Sequence, residues 1–289
     1  MNVGLHDVFF ESYDLVGDEY SDIFNMMTSD RKTETDVDYV GFTPFAEKPE
    51  GTSIAYEKIV EGYKKIYTMR TFAKGFRASM EARDDDQYNV IADAARQLGK
   101  LMGYTRNQDA ANVFNRAFNA TYPGPDQVSL CNASHPLKGG GTGANRPSSD
   151  ADLSVAAYQA ALTRFDKQVN ENSLMVMITP KILFVPADLR FTGATILHPG
   201  GLPGTANNDA NVAIEQFKVQ LKVGHFLTDS DAWFLISDKS QHKLRWFWRL
   251  KPKTESDGDF DTKDSKFSVI ARWDVGFSNW RGVDGTAGA

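Results

Sequence analysis

DDDQYNVIADAARQLGKLMGYTRNQDAANVFNRAF, residues 84–118, is the stretch on which the reading of the fold turns. Asp84, Asp85 and Asp86 stand where a helix N-terminus favours acids. Val90, Ile91, Ala94, Ala95, Leu98, Leu101 and Met102 follow at helical spacing, and Val113, Phe114, Ala117 and Phe118 continue the stripe. The pattern predicts one helix over 84–118, about 50 Å long at about 1.5 Å per residue. Gly99 and Gly103 weaken its middle and predict a bend there. Few small enzymes carry one exposed rod of that length.

Upstream of the rod, residues 36–80 read as long strands around a turn. Pro44, Pro49 and Gly51 punctuate FTPFAEKPEG. SIAYEKIV and YKKIYTMRTF then supply β-branched and aromatic residues in runs of strand length. Phe42, Phe45, Ile54, Tyr56, Ile59 and Tyr63 provide apolar area, yet charged residues interrupt them. A hairpin of this kind commits few residues to one face, so it is expected to project and bury them on another chain. Residues 1–35 mix aromatics with acids and read as an extended arm with one short helix. Residues 1–40 hold ten acids and two bases, against 28 acids and 30 bases in the rest. An acidic segment on a near-neutral body suggests docking on a partner or a solvated terminus.

Downstream, residues 119–150 are loop-rich. Asp150 or Asp152 is expected to cap a helix over 152–169 with the stripe Val155, Tyr158, Leu162, Phe165 and Val169. MVMITP and KILFVP read as buried strands, and Pro186 and Asp188 open a short helix through Ile196. HPGGLPGTANNDAN, 198–211, reads as a flexible loop. FKVQLKVGH alternates with a period of two, AWFLIS and KLRWFWRL behave similarly, and SVIARWDVGFSNW closes the chain as a strand. Residues 251–264 read as a charged loop between strands.

The chain has 289 residues, 41% hydrophobic and 24% charged, which suits a globular protein of two domains. A net charge of −6 argues against binding nucleic acid through bulk charge. One cysteine, Cys131, excludes an internal disulfide. The opening MNVGLHDVFFESYD lacks a signal-peptide pattern, and no apolar run approaches the roughly 20 residues of a membrane span. The expected protein is soluble and made inside a cell.

Chemistry-bearing motifs are incomplete. In KGGGTGANRP the Lys precedes the glycines and Arg146-Pro147 follows where a P-loop needs a helix. In DGDFDTKD, Thr262 and Ser268 occupy the positions where a calcium loop needs Gly and Glu. Cys131 and His135 make half a zinc site at most, and nothing singles out a base for Cys131 among His198, His225 and His242. The tryptophans Trp246, Trp248, Trp273 and Trp280 fit strand packing better than a ligand platform. No enzyme, cofactor or metal is expected.

Acidic arm, projecting hairpin, long helix, α/β body with a flexible loop and closing strand form an order of parts that resembles the Hong Kong 97 capsid fold of tailed phages, an α+β fold. The local sequence resembles the major head subunit family of Mu-like phages. The strings that carry this are TYPGPDQVSLCNASHPLKGGGTGANRPSSDADLSVAAYQAAL, MVMITPKILFVPADLRF, PGTANNDAN, TDSDAWFLISDK, LRWFWR and FSNWRGVDG, within about residues 80–289.

The resemblance implies an N-terminal arm over 1–35 and an extended β-hairpin loop over 36–80. It implies a peripheral domain over 81–150 with spine helix 84–118, an axial domain over 151–262, and a return strand over 263–289. Phe42, Phe45, Ile54, Tyr56, Ile59 and Tyr63 become subunit-interface residues. Pro199, Gly200, Gly201, Pro203, Asn207 and Asn208 become a loop at the capsomer axis. The implied partners are copies of the chain, in hexamers and pentamers that tile an icosahedral shell around double-stranded DNA without gripping it. A separate scaffolding protein, a maturation protease and a portal protein complete the set, with a decoration protein optional and no membrane. The implied location is the virion, assembled in the host cytoplasm. Two rival readings are a β-rich tail or decoration module lacking the rod, and a nucleotide-binding enzyme built on glycines 139–143.

Overall fold

The computed structural model describes residues 2–85, 89–197 and 218–289. In chain order the elements are α1 (Asn2–Leu15), β1 (Asn25–Thr28), β2 (Thr33–Val40), β3 (Val60–Thr68), β4 (Arg70–Ala78), α2 (Met80–Asp84), α3 (Val90–Asn115), β5 (His135–Pro136), β6 (Thr142–Gly143), α4 (Val155–Asp166), β7 (Pro180–Pro186), α5 (Arg190–Ile196), β8 (Gln220–Gly224), β9 (Trp233–Ser237), β10 (Leu244–Gly258), β11 (Ser265–Phe277) and β12 (Val283–Thr286). Contacts divide the chain into two units, 1–34 with 67–111 and 245–276, and 35–66 with 112–244 and 277–289. These cuts differ from the expected 81–150, 151–262 and 263–289. Residues 245–262 belong to the first unit because β10 lies beside β11 in one sheet. Residues 112–150 belong to the second because their backbone is bonded there, Cys131 N–H to Ala117 O and Gly285 N–H to Asn145 O.

The first unit is a sheet in the order β1-β10-β11-β4 together with α1 and most of α3. The six residues 259–264 join β10 to β11, too short a link for a parallel crossover, so the two strands form a hairpin. The expected charged loop 251–264 is therefore strand as far as Gly258. β11 keeps the expected alternation, burying Phe267, Val269, Ala271 and Trp273. Trp246, Trp248 and Trp273 cluster with ring centroids 5.3–5.7 Å apart.

The expected single hairpin 36–80 is not one ribbon. β3 pairs with β2, whereas β4 pairs antiparallel with β11. Cross-strand aromatics explain the second choice. Phe76 sits opposite Phe267, and Phe72 stacks on Trp273 at 4.0 Å. SIAYEKIV is correspondingly no strand until Val60.

The N-terminal segment is not an extended arm, and it buries one face. α1 is helical over 14 residues, and Phe9, Tyr13, Tyr20, Ile23 and Phe24 are buried. Its partner is α3, and this explains Gly99 and Gly103 better than a bend does. A Cβ on Gly99 would stand 2.4 Å from the Phe9 carbonyl oxygen, and one on Gly103 would stand 2.8 Å from Val16. Arg106, one turn further, lies 4.6 Å from the Tyr13 ring and 5.1 Å from the Tyr20 ring, and donates to Gly17 O. α3 spans 90–115 rather than 84–118. α2 ends at Asp84, and Asp86 lies outside the described residues.

The second unit holds a sheet in the order β12-β9-β7-β8, antiparallel except for the β7–β8 pair. One face takes Tyr158, Ala161, Leu162 and Phe165 of α4 and Ile196 of α5 against Leu183, Val185, Trp233 and Leu235. On the other face Phe114 meets Phe184 at 5.0 Å and Phe234 at 5.1 Å. A strand covered on both sides carries no polar face, so AWFLIS is buried throughout instead of alternating. Ser154 caps α4, accepting the Ala157 N–H at 3.2 Å. The expected caps are used elsewhere. Asp150 accepts Arg146 and Thr286, and Asp152 accepts the Ala289 N–H. MVMITP is no strand. Met175 makes one isolated bridge with Val169, and Met177 is 97% exposed.

Gly99→Ala tests the α1–α3 contact. In an open helix the change would stabilise by up to about 1 kcal/mol, whereas overpacking here should cost roughly 1–3 kcal/mol. Urea unfolding should show a loss; a gain would show that α1 does not hold its place against Gly99.

Candidate assembly site

Residues 41–59, between β2 and β3, contain no helix or strand. Pro44 and Pro49 offer no backbone donor, and Gly51 turns the chain at φ 78°. Thr52 N–H closes that turn on Pro49 O at 3.3 Å. The two sides are tied once, where Glu57 accepts the Thr43 hydroxyl and, at 3.0 Å, its N–H. These bonds hold the Glu57 carboxyl below the usual carboxylate range. Phe42, Phe45, Ile54, Tyr56 and Ile59 are all exposed, Phe45 completely. Tyr63 departs from them: it is half-buried on β3 and donates its hydroxyl to Pro136 O at 3.0 Å. Pro199, Gly200, Gly201, Pro203, Asn207 and Asn208 lie outside the described residues.

The chemistry-bearing motifs resolve into packing. Cys131 is fully buried, and burial pushes its thiol well up, the opposite of an activated nucleophile. His135, four residues on, is also fully buried. Its Nδ1 faces Asp126 at 2.6 Å and its Nε2 faces Asn145 Oδ1 at 2.9 Å. The ring stacks on Trp280 at 4.5 Å. Asn145 donates to Leu130 O and Trp280 O, which orients its carbonyl toward the imidazole. A histidine–carboxylate pair whose far nitrogen ends on an amide has no hydroxyl or thiol to activate.

Glycines 139–143 turn the short hairpin of β5 and β6. Gly140 and Gly141 take φ of 97° and 85°, and Gly139 donates its N–H to Glu171 O. Cβ atoms on Gly139 and Gly143 would meet Glu171 O at 2.4 Å and the Trp280 ring at 2.6 Å. The acids of the turn after β10 are engaged within the fold. Asp259 accepts the Asp261 and Thr262 N–H groups, and Asp264 pairs with Arg77 at 2.9 Å. Among the described residues no group of three or more His, Cys, Asp or Glu is placed to hold a metal, and no helix is long and apolar enough to cross a membrane. The rod whose absence would mark a β-rich tail module is present as α3.

The described residues form mixed α and β elements around two four-stranded sheets, with apolar side chains held out on a loop. Comparison with known proteins identifies the family. Residues 62–283 match the phage capsid protein family, and the chain belongs to it. The fold is similar to the capsid structure of cyanophage P-SCSP1u, with a TM-score of 0.64 and 13% identity over 93% of this chain and 88% of that one. It is similar to the virus-like particle of Pyrococcus furiosus, with 0.58 and 9% over 98% of each chain. It is also similar to the bacteriophage JBD30 capsid, with 0.58 and 13% over 74% of this chain and 93% of that one. No curated protein matches the sequence. The protein is a structural capsid subunit of the virion that assembles with copies of itself, and not an enzyme.

One buried ion pair gave no sequence signal. Asp284 of β12 takes Arg164 of α4 on both oxygens, at 2.8 and 3.1 Å. Removal from water outweighs the guanidinium and pushes the carboxyl up to about 7. Such an acid holds its proton more tightly folded than unfolded. It therefore costs stability as pH rises from about 4, its ordinary value, through about 7. Asp284→Asn removes this titration. Between about pH 4 and about pH 8, its stability relative to the parent should shift in its favour by on the order of a few kcal/mol. Denaturant unfolding across pH measures this, and a difference independent of pH would place the ionisation elsewhere.

Proposed function

We propose that the protein is the major head subunit of a Mu-like tailed phage with a Hong Kong 97-type fold. In this reading α3 is the spine helix of a peripheral domain, residues 41–59 are an extended loop that reaches over a neighbouring subunit, and 198–211 lie near the capsomer axis. Hexamers and pentamers close an icosahedral head around double-stranded DNA, with separate scaffolding, protease and portal proteins, in the host cytoplasm. Strings such as TYPGPDQVSLCNASHPLKGGG and MVMITPKILFVPADLRF support the Mu-like assignment.

The observation that carries the loop's role is the group of exposed residues Phe42, Phe45, Ile54, Tyr56 and Ile59 on one segment without secondary structure. An apolar cluster of this kind marks a contact surface. The first unit offers a receptor of matching character, a groove of about 350 Å³ between α3 and β4 lined by Phe72, Leu98, Leu101, Met102 and Val269. Burying one aromatic on a neighbour is worth about 1.5–3 kcal/mol before ordering costs, which suffices when a shell repeats it.

The double variant Phe45→Ser, Tyr56→Ser should fold with unchanged circular dichroism and unfolding midpoint, since both side chains are exposed. Shell yield on co-expression with the scaffold, counted by electron microscopy, should fall at least about tenfold, the effect of roughly 1.4 kcal/mol per contact. Wild-type yield would remove the loop from the interface.

A further inference from the structure

Residues 35–66 contain no fully buried side chain. A two-stranded ribbon such as β2–β3 is marginal alone in water. Tyr67 buries the far end of β3 in a core cluster, and over 35–66 the second unit supplies a set of charges instead. Asp38 on β2 accepts Lys243 Nζ at 3.0 Å and the Asn279 amide on its other oxygen. Asn172 donates to Gly41 O at 2.6 Å. The Lys138 ammonium lies 4.5 Å from the Tyr63 ring centroid.

Arg281 stands behind these groups, only 7% exposed. Its Nε donates to Val169 O, and its Nη1 donates to Glu171 at 2.8 Å and to Asn279 Oδ1 at 3.3 Å. Its Nη2 is buried with no hydrogen-bond partner. A cavity of about 10 Å³ lies among Asp38, Tyr63, Asp126, Glu171, Asn279 and Arg281. That is close to the volume of one water probe, and the lining brings the carboxylates Asp38, Asp126 and Glu171 together with the apolar faces of Pro125 and Trp280.

We infer that these residues form a hydrated ionic clamp, in which one water accepts a hydrogen bond from Arg281 Nη2 and donates to a lining carboxylate, fastening the base of the loop to its own subunit. The loop then reaches a neighbouring copy already aimed, and only its tip, 42–59, orders on contact. That last step rests on the reading of the loop as an intersubunit arm; the clamp does not.

Hydrogen exchange on unassembled full-length subunits tests it. Residues 35–40 and 60–66 should be protected while 42–58 exchange at nearly the free-chain rate. Asp38→Ala and Lys243→Met should each raise exchange at 60–66 about tenfold or more, the scale of a lost hydrogen bond to a charged group, and leave β7 and β9 unchanged. A base that exchanges as fast as the tip in the parent, or variants that change nothing there, would overturn the clamp. Loss of the tip's effect on shell yield would instead sink the arm reading and leave this result standing. A density map fine enough to place waters should show one within hydrogen-bond reach of Arg281 Nη2. A direct bond from Nη2 to a protein oxygen, with no water, would overturn the hydration.

Discussion

Asp109 of α3 is the carboxylate around which the first unit closes. It accepts the Trp273 indole N–H at 2.7 Å and Arg70 Nη2 at 2.6 Å. Arg70 Nε in turn reaches Asp274 at 3.2 Å, and Asp274 accepts the Thr68 N–H. Three elements, α3, β4 and β11, are thereby registered to one another by directional bonds. This matters because their apolar contacts do not choose a register alone. The Trp246–Trp248–Trp273 cluster tolerates sliding, while a 2.7 Å hydrogen bond to a charged acceptor does not. The polar node fixes where the aromatic cluster sits, and that cluster with Tyr20 and Phe24 fixes where the N-terminal segment lies.

The second unit uses the same economy with the balance reversed. Its sheet is apolar on both faces, so hydrophobic burial decides the layer order, and polar groups appear where loops must be pinned. His135 with Asp126 and Asn145 holds residues 126–145, and Arg164 with Asp284 holds the last strand. These buried polar groups face partners of fixed geometry, which costs desolvation and returns a single arrangement of long irregular segments. For a subunit that meets many copies of itself, one arrangement has more value than a few extra kcal/mol.

The sequence disclosed whatever depends on local period. α3, α4 and β11 declare themselves by spacing, β7 and β9 by short apolar runs, and Gly140 and Gly141 by the turn they make. It concealed whatever depends on a partner far along the chain. β4 reads as the second arm of a hairpin until Trp273 and Phe267 are brought to it from some 200 residues away. Gly99 reads as a weak point in a helix until α1 lies on it. The charged run at 251–258 reads as loop because a solvent-exposed strand carries no apolar face to betray it. The apolar composition of 42–59 was legible, but the bonds that tie Asp38 and Gly41 to Lys243, Asn279 and Asn172 were not. Asp38, Lys243 and Arg281 are ordinary surface-type residues until the fold gathers them.

A loop that displays five large apolar side chains invites the wrong contacts before the right ones, and the tip contains its own safeguard. Aggregation through exposed segments runs mainly by adding strands to a free ladder, which needs a row of backbone donors. Pro44 and Pro49 interrupt that row on one side, and Gly51 breaks the extended line at the turn. Glu47, Lys48 and Glu50 crowd the apex with charge of both signs. The apolar groups can therefore be buried by a shaped groove but not by an identical tip laid alongside. The same features explain why residues 41–59 form no strands of their own despite good β-formers at Ile54, Tyr56 and Ile59. Regular pairing there would draw the loop's backbone groups into a ladder that the two prolines and the Gly51 turn do not allow.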